Sequence, residues 1–137
     1  NLKALLQERN VSIESDRLPS VFGDEIHLTQ LFQNLITNAV KYNDSEVPKV
    51  KITYERKGDK HVLSIADNGI GIPSRYHQKV FELFQRLHSK DKYSGSGIGL
   101  AVCKKIMQQM DGNIYISNNP SGGTIFHLEF PSEQYKQ

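Results

Sequence analysis

Asp67-Asn68-Gly69-Ile70-Gly71-Ile72-Pro73 (DNGIGIP) follows directly on His61–Ala66 (HVLSIA), and the reading of that junction decides the fold. An apolar, strand-like run stops at an acid, and glycines follow at alternate positions. Two readings are open. The glycines can supply positive φ for a tight turn in which Asp67 makes a local hydrogen bond. Alternatively, Asp67 holds a carboxylate out at a strand end for an exocyclic amine. Gly69 and Gly71, lacking Cβ, would then let the backbone approach a flat ring closely.

Upstream, Lys57-Gly58-Asp59-Lys60 signals a hairpin that returns the chain from a half-buried strand. In that strand Val50, Ile52 and Tyr54 alternate with Lys49, Lys51, Thr53 and Glu55. Before it, Glu25 to about Tyr42 has helical spacing, with Asp24 as N-cap and Leu28, Leu31, Phe32, Leu35, Ile36 and Ala39 on the apolar face. Val11–Ser15 alternates like a strand, Pro19 and Gly23 bracket a turn, and residues 1–9 form a short helix bearing Leu2, Leu5 and Leu6.

Downstream, FELF (81–84) is expected in a short helical stretch, followed by a polar, aperiodic loop over 86–97. A second long helix is predicted over Gly97–Met110, stopped by Asp111-Gly112. Two strands close the chain, at about 113–118 and 123–130. The layout predicts an α/β two-layer sandwich: a mixed, mostly antiparallel sheet with helices over one face. The expected organisation is a connecting helix end at 1–9, one domain at 10–131 and a tail at 132–137.

The 137 residues suffice for one domain with a real core, and a hydrophobic content of 37% and charged content of 23% are ordinary for a globular protein. A net charge of +2 gives no case for a nucleic-acid-binding or polybasic membrane protein. The single cysteine, Cys103, excludes an internal disulfide and argues against a cysteine metal site, so a reducing, cytoplasmic setting is expected. No apolar run reaches membrane-spanning length, and no signal peptide is evident. A start at Asn1 rather than Met suggests a fragment, which leaves membrane anchoring of a parent protein open.

Two further places can carry chemistry. In QLFQNLITNAVKY, Asn34, Asn38 and Lys41 fall within roughly 60° of one another on the helix. A carboxamide oxygen can ligate Mg²⁺ and an ammonium can meet a phosphate, although a polar helix flank needs no ligand to explain it. Gly95-Ser96-Gly97-Ile98-Gly99-Leu100 runs into a helix N-terminus, where free N–H groups and the helix dipole favour phosphate. It is neither a Rossmann fingerprint nor a P-loop.

In this order, QNLITNAVKY, DNGIGIP, FELF and GSGIGLA resemble the N, G1, F and G2 boxes of the sensor histidine kinase ATP-binding domain. The resemblance runs from about Val11 to Pro131 and is nearest to phytochrome-like and multi-sensor kinases. It implies the Bergerat fold, with ATP between helix and lid. Asp67 would accept from the adenine amino group, with Gly69 and Gly71 shaping the pocket and Tyr42 flanking the nucleotide. Asn38 would ligate Mg²⁺, Asn34 would support the metal and phosphate geometry, and Lys41 and Arg86 would contact phosphates. Gly95, Gly97 and Gly99 would hinge the lid and expose the helix N-terminus to the phosphates, with Ser96, Ile98 and Leu100 in the same nucleotide-binding stretch. Thr124 would help close the adenine pocket. One departure is Ser121-Gly122-Gly123, where the family often has Gly-x-Gly.

The wider superfamily includes ATPases whose equivalent helix carries a glutamate as general base four residues before the Mg²⁺-ligating Asn. Here that position is Asn34, whose amide has no useful basicity, so the resemblance implies slow hydrolysis and transfer to a protein nucleophile. None of His27, His61, His77, His88 and His127 lies in a phosphoacceptor-like setting. His27, His61 and His127 are expected at the surface or as caps. The acceptor histidine would sit on a separate dimerisation and phosphoacceptor domain of a homodimeric parent, with a response regulator downstream and the isolated domain monomeric. The alternatives are a nucleotide-binding regulatory module without transfer, or an ATPase of the wider superfamily.

Overall fold

The computed structural model describes residues 2–21, 23–82 and 99–132. Arg86, Gly95, Ser96, Gly97 and Ile98, together with Phe84 and His88, lie outside the described residues. The chain order is α1 (Leu2–Glu8), β1 (Ser12–Ser15), α2 (Glu25–Lys41), β2 (Lys49–Lys57), β3 (Lys60–Asp67), two 3-10 turns (Ser74–Tyr76 and Lys79–Phe81), α3 (Gly99–Gln109), β4 (Asn113–Asn118) and β5 (Thr124–Pro131).

The strands form one sheet in the order β1-β2-β3-β5-β4. β1 runs parallel to β2, and the other neighbours are antiparallel, as the sequence pattern predicted. Register follows the hydrophobic alternation: Ile52, Ile65, Phe126 and Ile116 stand in one cross-strand row. Ile114, Leu128 and Leu63 stand in the next row on the same face.

Asp24 starts α2 as predicted, its Oδ1 accepting the Ile26 N–H at 2.8 Å. Leu31, Leu35 and Ala39 of α2 and Cys103, Ile106 and Met107 of α3 then enter one core with those sheet residues. Leu31 and Leu35 are both 0% exposed, and burying each stabilises the fold by about 1.5–3 kcal/mol. Phe81 joins this core and meets Phe126 edge-to-face with ring centroids 6.3 Å apart. Burial in the same core pushes the Cys103 thiol up to about 12, which keeps it protonated and unreactive.

Several expectations are corrected. The short helical stretch expected at FELF is a single 3-10 turn, Lys79–Phe81, that reaches only the buried Phe81 of the described part. The second helix is described from Gly99 and ends at Gln109. Its stop is a Schellman motif in which Asp111, at φ 57°, takes the left-handed position. Gly112 donates to Met107 O at 2.8 Å and Asp111 to Gln108 O at 3.1 Å. Gly112 serves close approach instead, since a Cβ there would collide with the Glu129 carbonyl oxygen.

His61 is not a surface residue: it is buried, with Nδ1 2.6 Å from the Tyr54 hydroxyl. His127 lies on the opposite sheet face, half-buried and stacked on Tyr115 at 4.8 Å. Its Nδ1 is 2.9 Å from Ser64 Oγ and its Nε2 2.7 Å from Ser117 Oγ. Burial, then the Lys57 charge, push its pKa below the ordinary 6.5, against a smaller opposing effect of Glu129. The unfolded chain therefore binds a proton more readily than the fold just below pH 6.5, and stability falls as pH drops through that window. Thermal melts should show this loss as a steeper acid-side fall in Tm for the parent than for His127→Gln. Equal slopes would exclude His127 as the cause.

Candidate functional site

Three separate stretches meet through backbone contacts around the end of β3. The carbonyl oxygen of Tyr42, which caps α2, accepts the Ile70 N–H at 3.1 Å. It also lies where a Cβ on Gly69 would have to go. Gly69 is thus required by the approach of two backbones, loop against helix end. Of the two glycines in DNGIG, only Gly71 adopts positive φ, at 79°. The positive φ of the turn reading therefore holds for Gly71 and not for Gly69, while its local hydrogen bond is the one that Asp67 accepts from the Gly69 N–H.

On its other side, β3 meets the β4–β5 turn. Asp67 is 6% exposed, and its Oδ1 accepts the N–H groups of Gly69 at 2.9 Å and Thr124 at 3.1 Å. Oδ2 takes no hydrogen bond from the described residues. Burial raises the carboxyl pKa above 3.8, and the two N–H donors oppose that rise. Gly123, at φ 102°, touches Asp67 so closely that a Cβ would collide with its carbonyl oxygen. Thr124, the first residue of β5, is buried at 3%.

Asn34, Asn38 and Lys41 lie on α2 at successive turns, all half-buried. Asn34 Nδ2 reaches Gly99 O at 3.5 Å, the outer limit of a hydrogen bond, so the first residue of α3 abuts the same helix. Leu100 follows, half-buried and packed against the core. The structure brings Tyr42, Asp67, Gly69, Gly71 and Thr124 together around the end of β3, and Asn34 against Gly99 at the start of α3, with Asn38 and Lys41 lying between these two places along α2.

Sequence reasoning passed over a set of asparagines here. Asn43 Nδ2 donates to Asn68 Oδ1 at 2.8 Å, and that oxygen also accepts the Lys49 N–H at 2.8 Å. Arg9 caps the end of α2, donating to Val40 O at 3.1 Å and Asn43 O at 2.9 Å. Asn119 Nδ2 donates to the Asp67 carbonyl oxygen at 2.9 Å. The signal available in the sequence was only that Asn68 and Asn119 flank glycine turns, where asparagine is common for local reasons.

A buried carboxylate with one oxygen saturated and the other uncommitted among the described residues suits an amine donor, and the polar stripe of α2 suits a phosphate chain. Comparison with known proteins places the chain in a family. Residues 23–134 match the family described as histidine kinase-, DNA gyrase B-, and HSP90-like ATPase. The phytochrome-like protein Cph1 of Synechocystis is 43% identical over 131 residues, which cover 96% of this chain and 18% of that protein. The chain therefore spans about a fifth of that relative's length. The mycobacterial sensor histidine kinase MprB superposes with a TM-score of 0.81 at 28% identity, covering 95% of this chain and 88% of that one. Full-length ShkA in complex with AMPPNP gives a TM-score of 0.77 at 26% identity, covering 95% and 27%. The chain belongs to the histidine kinase-, DNA gyrase B- and HSP90-like ATPase family, with the Bergerat fold, as an ATP-binding catalytic domain of the sensor histidine kinase type.

Proposed function

We propose that this domain binds ATP with Mg²⁺ and passes the γ-phosphoryl group to a histidine on a separate phosphoacceptor domain of its parent protein. The observation that carries this reading is the state of Asp67, with Oδ1 held by Gly69 and Thr124 and Oδ2 uncommitted among the described residues. Such a carboxylate can take the adenine amino group without breaking any bond of the fold. ShkA, of the same fold, is described in complex with an ATP analogue, which supports ATP as the ligand.

Gly69 and Gly71 would shape the adenine pocket, Thr124 would close it, and Tyr42 would flank the nucleotide. Asn38 would hold Mg²⁺ through its amide oxygen. No cluster of three His, Cys, Asp or Glu exists among the described residues, so phosphates and water would complete the coordination. Bound there, the metal would neutralise phosphate charge. Lys41 and Arg86 would stabilise the charge on the transferring group, and Gly95, Ser96, Gly97, Ile98, Gly99 and Leu100 would form the lid and its hinge. An imidazole nitrogen of the acceptor attacks the γ-phosphorus in line as the bond to the β-γ bridging oxygen breaks, releasing ADP. Asn34, whose amide contacts Gly99 O, offers no base for water, so hydrolysis without an acceptor stays slow.

The parent would be a cytoplasm-facing homodimer acting on a response regulator, with residues 1–9 ending the connecting segment. No described helix is long and apolar enough to cross a membrane. The test is transfer from labelled ATP·Mg²⁺ to a separately supplied acceptor domain. Labelled acceptor histidine supports the proposal. Tight ATP binding without transfer would instead mean a regulatory nucleotide-binding module, and rapid hydrolysis without acceptor an ATPase.

A further inference from the structure

The β4–β5 turn carries a hydrogen-bond relay that ends on Asp67. Ser121, the position at which this chain departs from the family's glycine, has both of its donors on one atom of Asn119. Its N–H lies 3.3 Å and its hydroxyl 3.0 Å from Asn119 Oδ1. A backbone N–H can only donate, so the atom it faces is the amide oxygen, which settles the orientation of the side chain. The amide nitrogen is thereby turned to the Asp67 carbonyl oxygen at 2.9 Å. The turn itself is braced by Gly122 N to Asn119 O at 2.9 Å and Asn119 N to Gly123 O at 3.1 Å.

Asp67 is consequently held at two independent points by one turn: its carbonyl by Asn119 and its Oδ1 by Thr124 N–H. Gly123 fills the space between and leaves no room for a side chain. Carbonyl and carboxylate belong to the same residue: the Asn119 bond fixes the peptide plane from which Cβ leaves, and the two N–H groups on Oδ1 then set the side-chain torsions and so the direction of Oδ2. Glutamate or aspartate in place of Asn119 would set a carboxylate against a carbonyl, and glycine in place of Ser121 would leave only the weaker N–H contact on the amide oxygen.

From this geometry we infer that Asn119 is a positioning residue for base recognition, oriented by Ser121, which sets the uncommitted Asp67 oxygen for an exocyclic amine. The inference rests on reading Asp67 as the adenine contact. It predicts an effect confined to the amine: Asn119 touches neither the sugar nor the phosphates in this role.

The experiment measures affinity of the 137-residue chain for ATP and for purine riboside triphosphate, which lacks the 6-amino group. Asn119→Ala should weaken ATP by about three- to tenfold while leaving purine riboside triphosphate within about twofold. Ser121→Ala, at an exposed position, should shift the same ratio by a smaller factor and keeps the test open if Asn119→Ala fails to fold. Equal weakening of both nucleotides, or no change in either, would overturn the inference, because a purely structural role has no reason to spare the nucleotide without the amine. Asp67→Asn is the control. If it discriminates between the two nucleotides and the turn variants do not, only the role of Asn119 fails. If Asp67→Asn also fails to discriminate, the adenine assignment fails with it.

Discussion

Asn38→Ala should lower phosphotransfer to a supplied acceptor domain by about a hundredfold or more, while affinity for adenosine changes by less than about threefold. Asn38 sits one helical turn after Asn34 and one before Lys41, half-buried, and no described residue takes its side-chain amide. Removing that amide leaves the base pocket intact, because Asp67 is held from the β4–β5 turn and from Gly69 rather than from α2 side chains. Quench-flow transfer at saturating ATP·Mg²⁺, with adenosine binding by calorimetry, separates the two effects. Transfer at the parent rate would remove Asn38 from the metal site. A matching loss of adenosine affinity would mean that α2 had moved as a whole.

Asp67→Asn should weaken ATP by about ten- to a hundredfold and move the ATP-to-GTP preference towards GTP. An amide oxygen can still accept from Gly69 and Thr124, but its NH₂ would then occupy the Oδ2 position and face the adenine amine donor to donor. Folding stability at neutral pH should be unchanged or higher. Burial holds the Asp67 pKa above 3.8, so the fold binds that proton more readily than the unfolded chain. Its contribution to stability is therefore present at low pH and is lost as pH rises through the raised folded value. Nucleotide affinity runs the other way, falling on acidification as the carboxylate is protonated. Calorimetric titration of ATP across the acid range should show that fall in the parent and not in the Asn variant. Unchanged ATP affinity in Asp67→Asn would reject the adenine assignment.

The elements legible in advance were those whose signal is local. Asp24 as N-cap, the apolar stripe through Leu31 and Leu35, and the alternation in β2 each depend on spacing within one segment, and each is present as read. Readings that depended on what lies opposite were less secure. His61 opens a strand in the sequence but is buried against Tyr54, because its neighbour is set by the β2–β3 register. Asp111-Gly112 reads as a helix stop in the sequence, but it takes the structure to show that Asp111 adopts the left-handed conformation while Gly112 makes room for β5.

The DNGIG stretch shows the same division. By itself the sequence determined that a strand ends in an acid followed by a glycine turn, and, with the N and G2 boxes in order, which family the chain belongs to. Only the tertiary structure decided what each of those residues does in the fold. Gly69 is bare because the end of α2 occupies its side-chain space, while Gly71 bends the chain. One Asp67 oxygen is spent on Gly69 and Thr124, leaving the other uncommitted among the described residues. Spacing along a chain encodes which face a side chain occupies, but hydrogen-bond saturation depends on the backbone that the rest of the chain brings to it.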